Sequence, residues 1–294
     1  YFCMLKFSYG CWLKKIQIKM ENKRVLFVSQ EISPYMPESE MSLIGRNLPQ
    51  GIMESGKDIR IFMPKYGCIN ERRNQLHEVI RLSGMNMILD NLDYPLIIKV
   101  ASLQPVRMQV YFIENEDYFP KKTFMQEIDG EEFDFHDERT IFFCRGVLET
   151  VRKLGWAPDV VHCHGWMSGL VPMYLKKAFS EDPIFNNTKV IYSVYNQENN
   201  VEIDNDMSRK SLIHGVSKED VTLIDDASVD NLHKLAIMYS DAVIIGSDKL
   251  SDDLSTFIIE SDKYVIPHHK NEEFTNVYNA LYDELLEESE VFQQ

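Results

Sequence analysis

His162-Cys163-His164 sets two imidazoles around a thiol, with Gly165 and Trp166 directly after them. Imidazole and thiolate are both zinc ligands. On a strand, however, alternation sends Cys163 to the face opposite its neighbours. One ligand pair without clustered partners makes a poor site, so no metal is expected. The competing reading is a structural or sugar-contacting His164 at the C-terminal edge of a parallel strand, where open α/β sheets bind ligands. Trp166 could stack on a sugar face while its indole N–H bonds a hydroxyl, or it could anchor the next helix from the core. Asn196 and Gln197, at another strand end, suit sugar hydroxyls, or they bond their own backbone as turn residues. Asp204-Asn205-Asp206 has the D-x-D form of metal-dependent sugar transferases of another architecture, but it lies in a polar loop of an acidic chain.

A second constellation opens the chain's first βα unit. Val25-Leu26-Phe27-Val28-Ser29 leads through Gln30-Glu31-Ile32-Ser33-Pro34 into Pro37-Glu38-Ser39-Glu40-Met41. Such a turn offers backbone N–H groups and a positive helix terminus to a phosphate. Here Pro37 has no N–H, and Glu38 and Glu40 repel anions. The frame suits a nucleotide-sugar enzyme, while its contents oppose phosphate. The physical account is that the two glutamates stabilise the helix N-terminus themselves.

These groups sit in an ordinary globular composition: 294 residues, 44 % hydrophobic, 26 % charged, net charge −15. Residues 20–294 hold 27 bases against 46 acids, a net of −19. That surface disfavours nucleic acid and anionic membranes. Cys3, Cys11, Cys68, Cys144 and Cys163 are odd in number and scattered, without C-x-x-C. This excludes a disulfide scaffold and points to a reducing compartment, the cytoplasm. Residues 1–19 read as an upstream or cloning-derived extension outside the fold, with Met20 as the natural start. The rival reading is a basic amphipathic membrane arm. No Walker A, G-x-S-x-G or complete G-x-G-x-x-G supports a P-loop, hydrolase or dinucleotide enzyme, and no cofactor is expected.

The elements that must position the candidates alternate between strand-like runs and helical periods, the pattern of a parallel α/β sheet. Strands are expected at 25–29, 59–63, 159–163, 189–195 and 242–246, and helices at 40–54, 138–154, 169–179, 231–239 and 249–258. Residues 76–82 read as β-rich, and 96–101 with 108–113 as an inserted hairpin turning at Gln104-Pro105-Val106. Glu131, Glu132, Asp134, Asp137 and Glu138 read as a solvated charge run. Residues 201–230 have no periodicity to follow. One Rossmann-like, doubly wound, mostly parallel sheet over residues 20–270 is the economical fold, with a helix and acidic tail over 271–294.

Three segments carry a family resemblance. Gln30-Glu31-Ile32-Ser33-Pro34 with Leu48-Pro49 resembles the first βα unit of bacterial glycogen and starch synthases. Asp159-Val160-Val161-His162-Cys163-His164-Gly165-Trp166, with Gly169-Leu170-Val171-Pro172, is similar to that family's D-V-V-H-x-H-D-W-x-x-G-L-x-P. Lys234 through Tyr239-Ser240-Asp241 and Ser247 is similar to its K-x-G-x-x-Y-A-D segment and following serine. The resemblance covers about residues 20–254 and implies the N-terminal lobe of a two-lobed GT-B glycosyltransferase. By length, the second lobe would come from a separate protein. His164, Trp166, Asn196, Gln197 and Lys234 become substrate-binding candidates, and no catalytic residue is assigned.

The chain departs from that pattern where a donor diphosphate would bind. The family's K-T-G-G-L aligns with Pro37-Glu38-Ser39-Glu40-Met41, changing local charge from +1 to −2. Each unit charge near 4 Å is worth roughly 4 kcal/mol at an effective dielectric of 20. Gly165 replaces an aspartate, and Tyr195 replaces a histidine implied in sugar binding and transition-state support. Two functions are therefore expected in competition. One is glucosyl transfer from a nucleotide-glucose to an α-1,4-glucan, not achieved by this chain alone. The other is a non-catalytic glucan-binding or regulatory module, a pseudoenzyme of glycogen metabolism.

Overall fold

The computed structural model describes residues 22–119, 127–128, 131–132, 136–196, 201–269 and 274–291. The expected extension, residues 1–19, lies outside them. The amino-terminal half alternates β1 (Arg24–Ser29), α1 (Glu40–Glu54), β2 (Asp58–Pro64) and the short α2 (Glu71–Asn74). It continues through β3 (His77–Glu78), β4 (Met85–Leu89), β5 (Leu92–Leu103) and β6 (Met108–Glu114), with β7 (Glu127–Ile128) pairing β8 (Glu131–Glu132) apart from the main sheet. After α3 (His136–Leu154) come β9 (Val160–His164), α4 (Val171–Lys176), β10 (Lys189–Val194) and α5 (Met207–Lys210). The remainder is α6 (Val229–Tyr239), β11 (Ala242–Ile245), α7 (Asp252–Glu260), β12 (Tyr264–Ile266) and α8 (Phe274–Val291).

The main sheet has ten strands in the order β12-β11-β10-β9-β1-β2-β6-β5-β3, with β4 added on β5. From β12 to β6 every pairing is parallel, and β3, β4 and β5 are antiparallel. Parallel strands covered on both faces read as continuous apolar runs. Val25, Leu26, Phe27 and Val28 are all fully buried, as are Val160, Val161 and Cys163. Helix α1 buries Met41, Ile44, Leu48 and Ile52, an i, i+3, i+7, i+11 stripe against the sheet. Gly45 lets α1 approach its own entry loop, because a Cβ there would lie 2.6 Å from the Glu31 carbonyl oxygen.

Several expectations need correction. Residues 76–82 contribute only the two-residue β3 and then a turn. The unforeseen β4 pairs with β5 around Asp90 and Asn91, both at positive φ, which supplies the turn twist a hairpin needs. The short edge strand β12 was also not foreseen. Asp137 is not on solvated surface: it is fully buried at the start of α3, 2.8 Å from Lys210 Nζ, and Glu138 meets the same ammonium at 2.8 Å. Burial raises the Asp137 carboxyl above the usual range despite that partner.

The C-terminal helix is no appendage. Helix α8 buries Tyr278, Leu281, Tyr282, Leu285 and Leu286. It lies against α1 so closely that a Cβ on Gly51 would sit 2.3 Å from Thr275 Cγ2, and Lys57 Nζ donates to Asn279 Oδ1 at 2.8 Å. Packing therefore runs across the expected boundary at residue 270. Among the described residues, no helix is long and apolar enough to cross a membrane.

Candidate functional site

The sheet runs outward in both directions from the β1/β9 pair, β1 leading to β2 and β6, β9 to β10, β11 and β12. That reversal is the point where doubly wound sheets leave a crevice at their C-terminal edge. Ser29 stands opposite His164 in register there. Gln30 closes the gap: its N–H donates to the His164 carbonyl at 3.1 Å, and its Oε1 accepts from the Met167 N–H at 3.2 Å. Gly165 has φ +81°, and a Cβ there would lie 2.7 Å from Gln30 Oε1. Glycine is thus required by both conformation and space, in this chain's version of the loop.

The α1 N-terminus is capped by the chain itself. Ser39 is the N-cap of a reciprocal box, accepting from the Ser42 N–H at 3.0 Å while its own N–H donates to Ser42 Oγ at 2.8 Å. The Ser39 hydroxyl also donates to Glu31 Oε2 at 2.8 Å. Burial raises the Glu31 carboxyl above its usual range, and the Ser39 bond partly offsets that. Glu40 in the first turn meets His268 Nε2, whose ring also faces Asp248 at 3.7 Å. Pro37 and Glu38 stand exposed just before the cap. Serine hydroxyls take the Ser39 and Ser42 N–H groups, and Glu40 in the first turn adds a favourable charge.

Beneath the edge lies a buried polar bed. His162 bonds Tyr282 Oη through Nδ1 at 2.6 Å and Ser193 Oγ through Nε2 at 2.7 Å. Its ring centroid is 3.9 Å from that of His164, whose Nδ1 shares a 3.1 Å hydrogen bond with Tyr195 Oη. Both imidazoles are fully buried, and loss of solvation holds them neutral: His164 is lowered to about 3, and His162 well below its ordinary value. His164 Nε2 has no hydrogen-bond partner among the described residues. Cys163 faces the other way, as alternation required, and no group of three or more metal-ligating residues forms among the described residues.

The sequence-derived candidates separate. Trp166 is 1 % exposed and edge-on to His136, with centroids 5.9 Å apart. Tyr195 is buried, its ring against Gly246. Asn196 is exposed, its N–H donating to Ser247 Oγ at 3.1 Å. Gln197 lies outside the described residues. Asp204 and Asp206 are engaged with Lys210 and Arg209, which accounts for the D-x-D triplet as ion pairing.

Asn196 and Lys234 are brought together on one open cavity of about 960 Å³. It sits beyond the C-terminal ends of β10 and β11, where the N-termini of α6 and α7 converge. Asn205, Asp226, Asn231 and Asp253 also line it, and Tyr195 connects it to His164. Ser228 caps α6 by accepting from the Asn231 N–H at 3.1 Å, and Ser251, the α7 cap, donates to Asp230 Oδ2 at 2.6 Å. Lys234 pairs with Asp253 and donates to Asn231 Oδ1 at 3.4 Å. Sequence reasoning missed this lining because most of it lies in residues 201–230. The one available signal was Ser228, placed as an N-cap before an apolar period. Amides and carboxylates at such density offer the paired donors and acceptors that hydroxyl-rich ligands match.

Residues 24–262 match the family model of the starch synthase catalytic domain. Curated relatives include the glycogen synthase of Chlorobium limicola, 39 % identical over 176 residues, which is 60 % of this chain and 36 % of that protein. The glycogen synthase of Chlorobaculum tepidum is 40 % identical over the same length and shares. The chain thus matches little more than a third of each relative's length. Among solved structures, the catalytic domain of Starch Synthase IV from Arabidopsis thaliana, bound to ADP and acarbose, superposes with a TM-score of 0.68. That match covers 84 % of this chain and 51 % of the other at 19 % identity, a likeness of fold.

Proposed function

Because the chain belongs to the starch synthase catalytic domain family, we propose that it serves glucosyl transfer from a nucleotide-glucose to an α-1,4-glucan. Within that reaction it holds the glucan and does not grip the donor diphosphate by itself. One observation carries this reading: at the α1 N-terminus, where a phosphate would bind, the Ser39–Ser42 box takes the Ser42 N–H, and Glu31 and Glu40 stand around it. An entering diphosphate would compete with that cap and face two carboxylates. The cavity beside Asn196 and Lys234 is open and rich in amides, so the hydroxyls of a glucan chain have partners there. The Arabidopsis neighbour, solved with both ADP and acarbose, supports the two ligand classes as the ones to test.

Tyr195 favours a second reading, a non-catalytic glucan-binding or regulatory module. Its phenol is held neutral by burial, and it stands where the resemblance implies a histidine that supports the transition state. One experiment separates the readings. Purified protein is incubated with glycogen and ADP-glucose or UDP-glucose, with glucose incorporation and glycogen co-sedimentation measured together. Co-sedimentation without incorporation by the protein alone is the expected result. Incorporation that appears only when cell extract is added removes the second reading, incorporation by the isolated chain overturns the claim that it does not grip the donor by itself, and absence of both signals removes the glucan assignment.

A further inference from the structure

Resting on the glucan reading of the cavity, we propose that Asp253 is its specificity-determining residue. Its carboxylate occupies Lys234, so the site takes uncharged sugar chains and turns away phosphorylated ones. The described lining carries Glu202, Asp226, Asp230 and Asp253 against Lys234, a net of −3. Lys234 is the cation an anionic ligand would seek, and it is engaged twice, by Asp253 on α7 and by Asn231 on its own helix.

The geometry makes this a mask. Two helix N-termini open onto the cavity, and their fields attract anions. Serine caps and first-turn carboxylates answer both: Ser228 and Asp230 on α6, Ser251 with Asp252 and Asp253 on α7. The Lys234 side chain is only 13 % exposed, whereas that of Asp253 is 70 % exposed. Removing Asp253's charge would therefore leave a largely desolvated ammonium beside two positive helix ends, a combination that draws a replacement anion from solution. An uncharged glucan needs no such cation. Asn196, Asn205 and Asn231 supply its hydrogen bonds whatever the state of the pair.

The test is calorimetric titration of the full chain with inorganic pyrophosphate at low salt, and separately with maltotetraose. The proteins are the wild type, Asp253→Asn, Asp252→Asn and the double variant Asp253→Asn with Lys234→Gln. Asp253 is solvent-facing, so the single variant keeps its fold, which circular dichroism checks. Asp253→Asn is expected to gain about tenfold in pyrophosphate affinity, the worth of one nearby charge after screening. Asp252→Asn, with the same change in net charge, should gain less than half as much, and the double variant should lose the gain. No gain, an equal gain in Asp252→Asn, or a gain that survives without Lys234 overturns the proposal. A wild type that fails to bind maltotetraose sinks the glucan reading instead, while the pyrophosphate series still decides the role of Asp253.

Discussion

Two helix starts on the same edge of one sheet have been finished in opposite ways. At α1, the serine cap, Glu31, Glu40 and His268 leave a surface where the chain is its own ligand. At α6 and α7, equally well capped, the same edge opens into a cavity of about 960 Å³. Capping alone therefore does not decide whether a helix terminus can receive a ligand. What decides is whether the next shell belongs to the protein or is left to solvent. The capped α1 terminus is the one the family resemblance assigns to phosphate, and the open one is lined by amides and carboxylates.

The largest effect should come from acid, acting on the bed beneath both regions. His164 lies between the two, paired in register with Ser29 on one side and bonded to Tyr195 on the other, and His233, bonded through Nδ1 to Tyr192 Oη at 2.7 Å, lies toward the second. Burial lowers His164 to about 3, and His136 and His233 to about 4. Each unfolded histidine takes a proton near pH 6.5 that the folded one refuses, so stability is full above pH 6.5 and falls as pH drops toward the folded values. Each such histidine costs about 2 kcal/mol at pH 5. Glu31 and Asp137, raised by burial, titrate in the opposite sense and blunt the lower end. Urea unfolding from pH 7.5 to 5 should show this slope, and His164→Gln and His233→Gln should each remove about one proton from it. A variant that leaves the slope unchanged shows that its histidine is not held neutral by burial.

Gly165→Ala comes next, at about 2 kcal/mol of stability, because φ is +81° and Gln30 leaves no room for a Cβ. The loss should appear as a lower urea midpoint with an unchanged m-value. Ser39→Ala and Ser228→Ala should each cost about 1 kcal/mol, as caps do. Only Ser228→Ala should weaken maltotetraose binding. Equal weakening by Ser39→Ala would erase the distinction between the α1 terminus and the open one. Glu40→Gln should be the mildest, below about 1 kcal/mol, since its contact with His268 is on the surface.

Much of the scaffold is readable from pattern alone. Helix α1 occupies residues 40–54 as its apolar spacing indicates, and β1, β2, β9, β10 and β11 fall on their apolar runs. These signals survive because burial on both faces leaves little choice of residue. The site was less legible. Trp166 gives no sign in sequence of which way its ring turns. Asn205, Asp226 and Asn231 meet only because an aperiodic stretch folds over the ends of β10 and β11. The charge of Asp137 suggested solvent, but Lys210, seventy-three residues later, makes its burial tolerable. Tertiary partners of this kind leave no local trace.

Helix α8 also bears on how the molecule is made. Lys57, just past α1, has its Asn279 partner 222 residues further on, and His162 waits 120 residues for Tyr282. A ribosome emits β1 and α1 long before the segment that seals them, so that flank stays greasy and available to chaperones until residue 282 has emerged. Fragments trimmed to the family-matched stretch, residues 24–262, would be frozen at that unfinished stage.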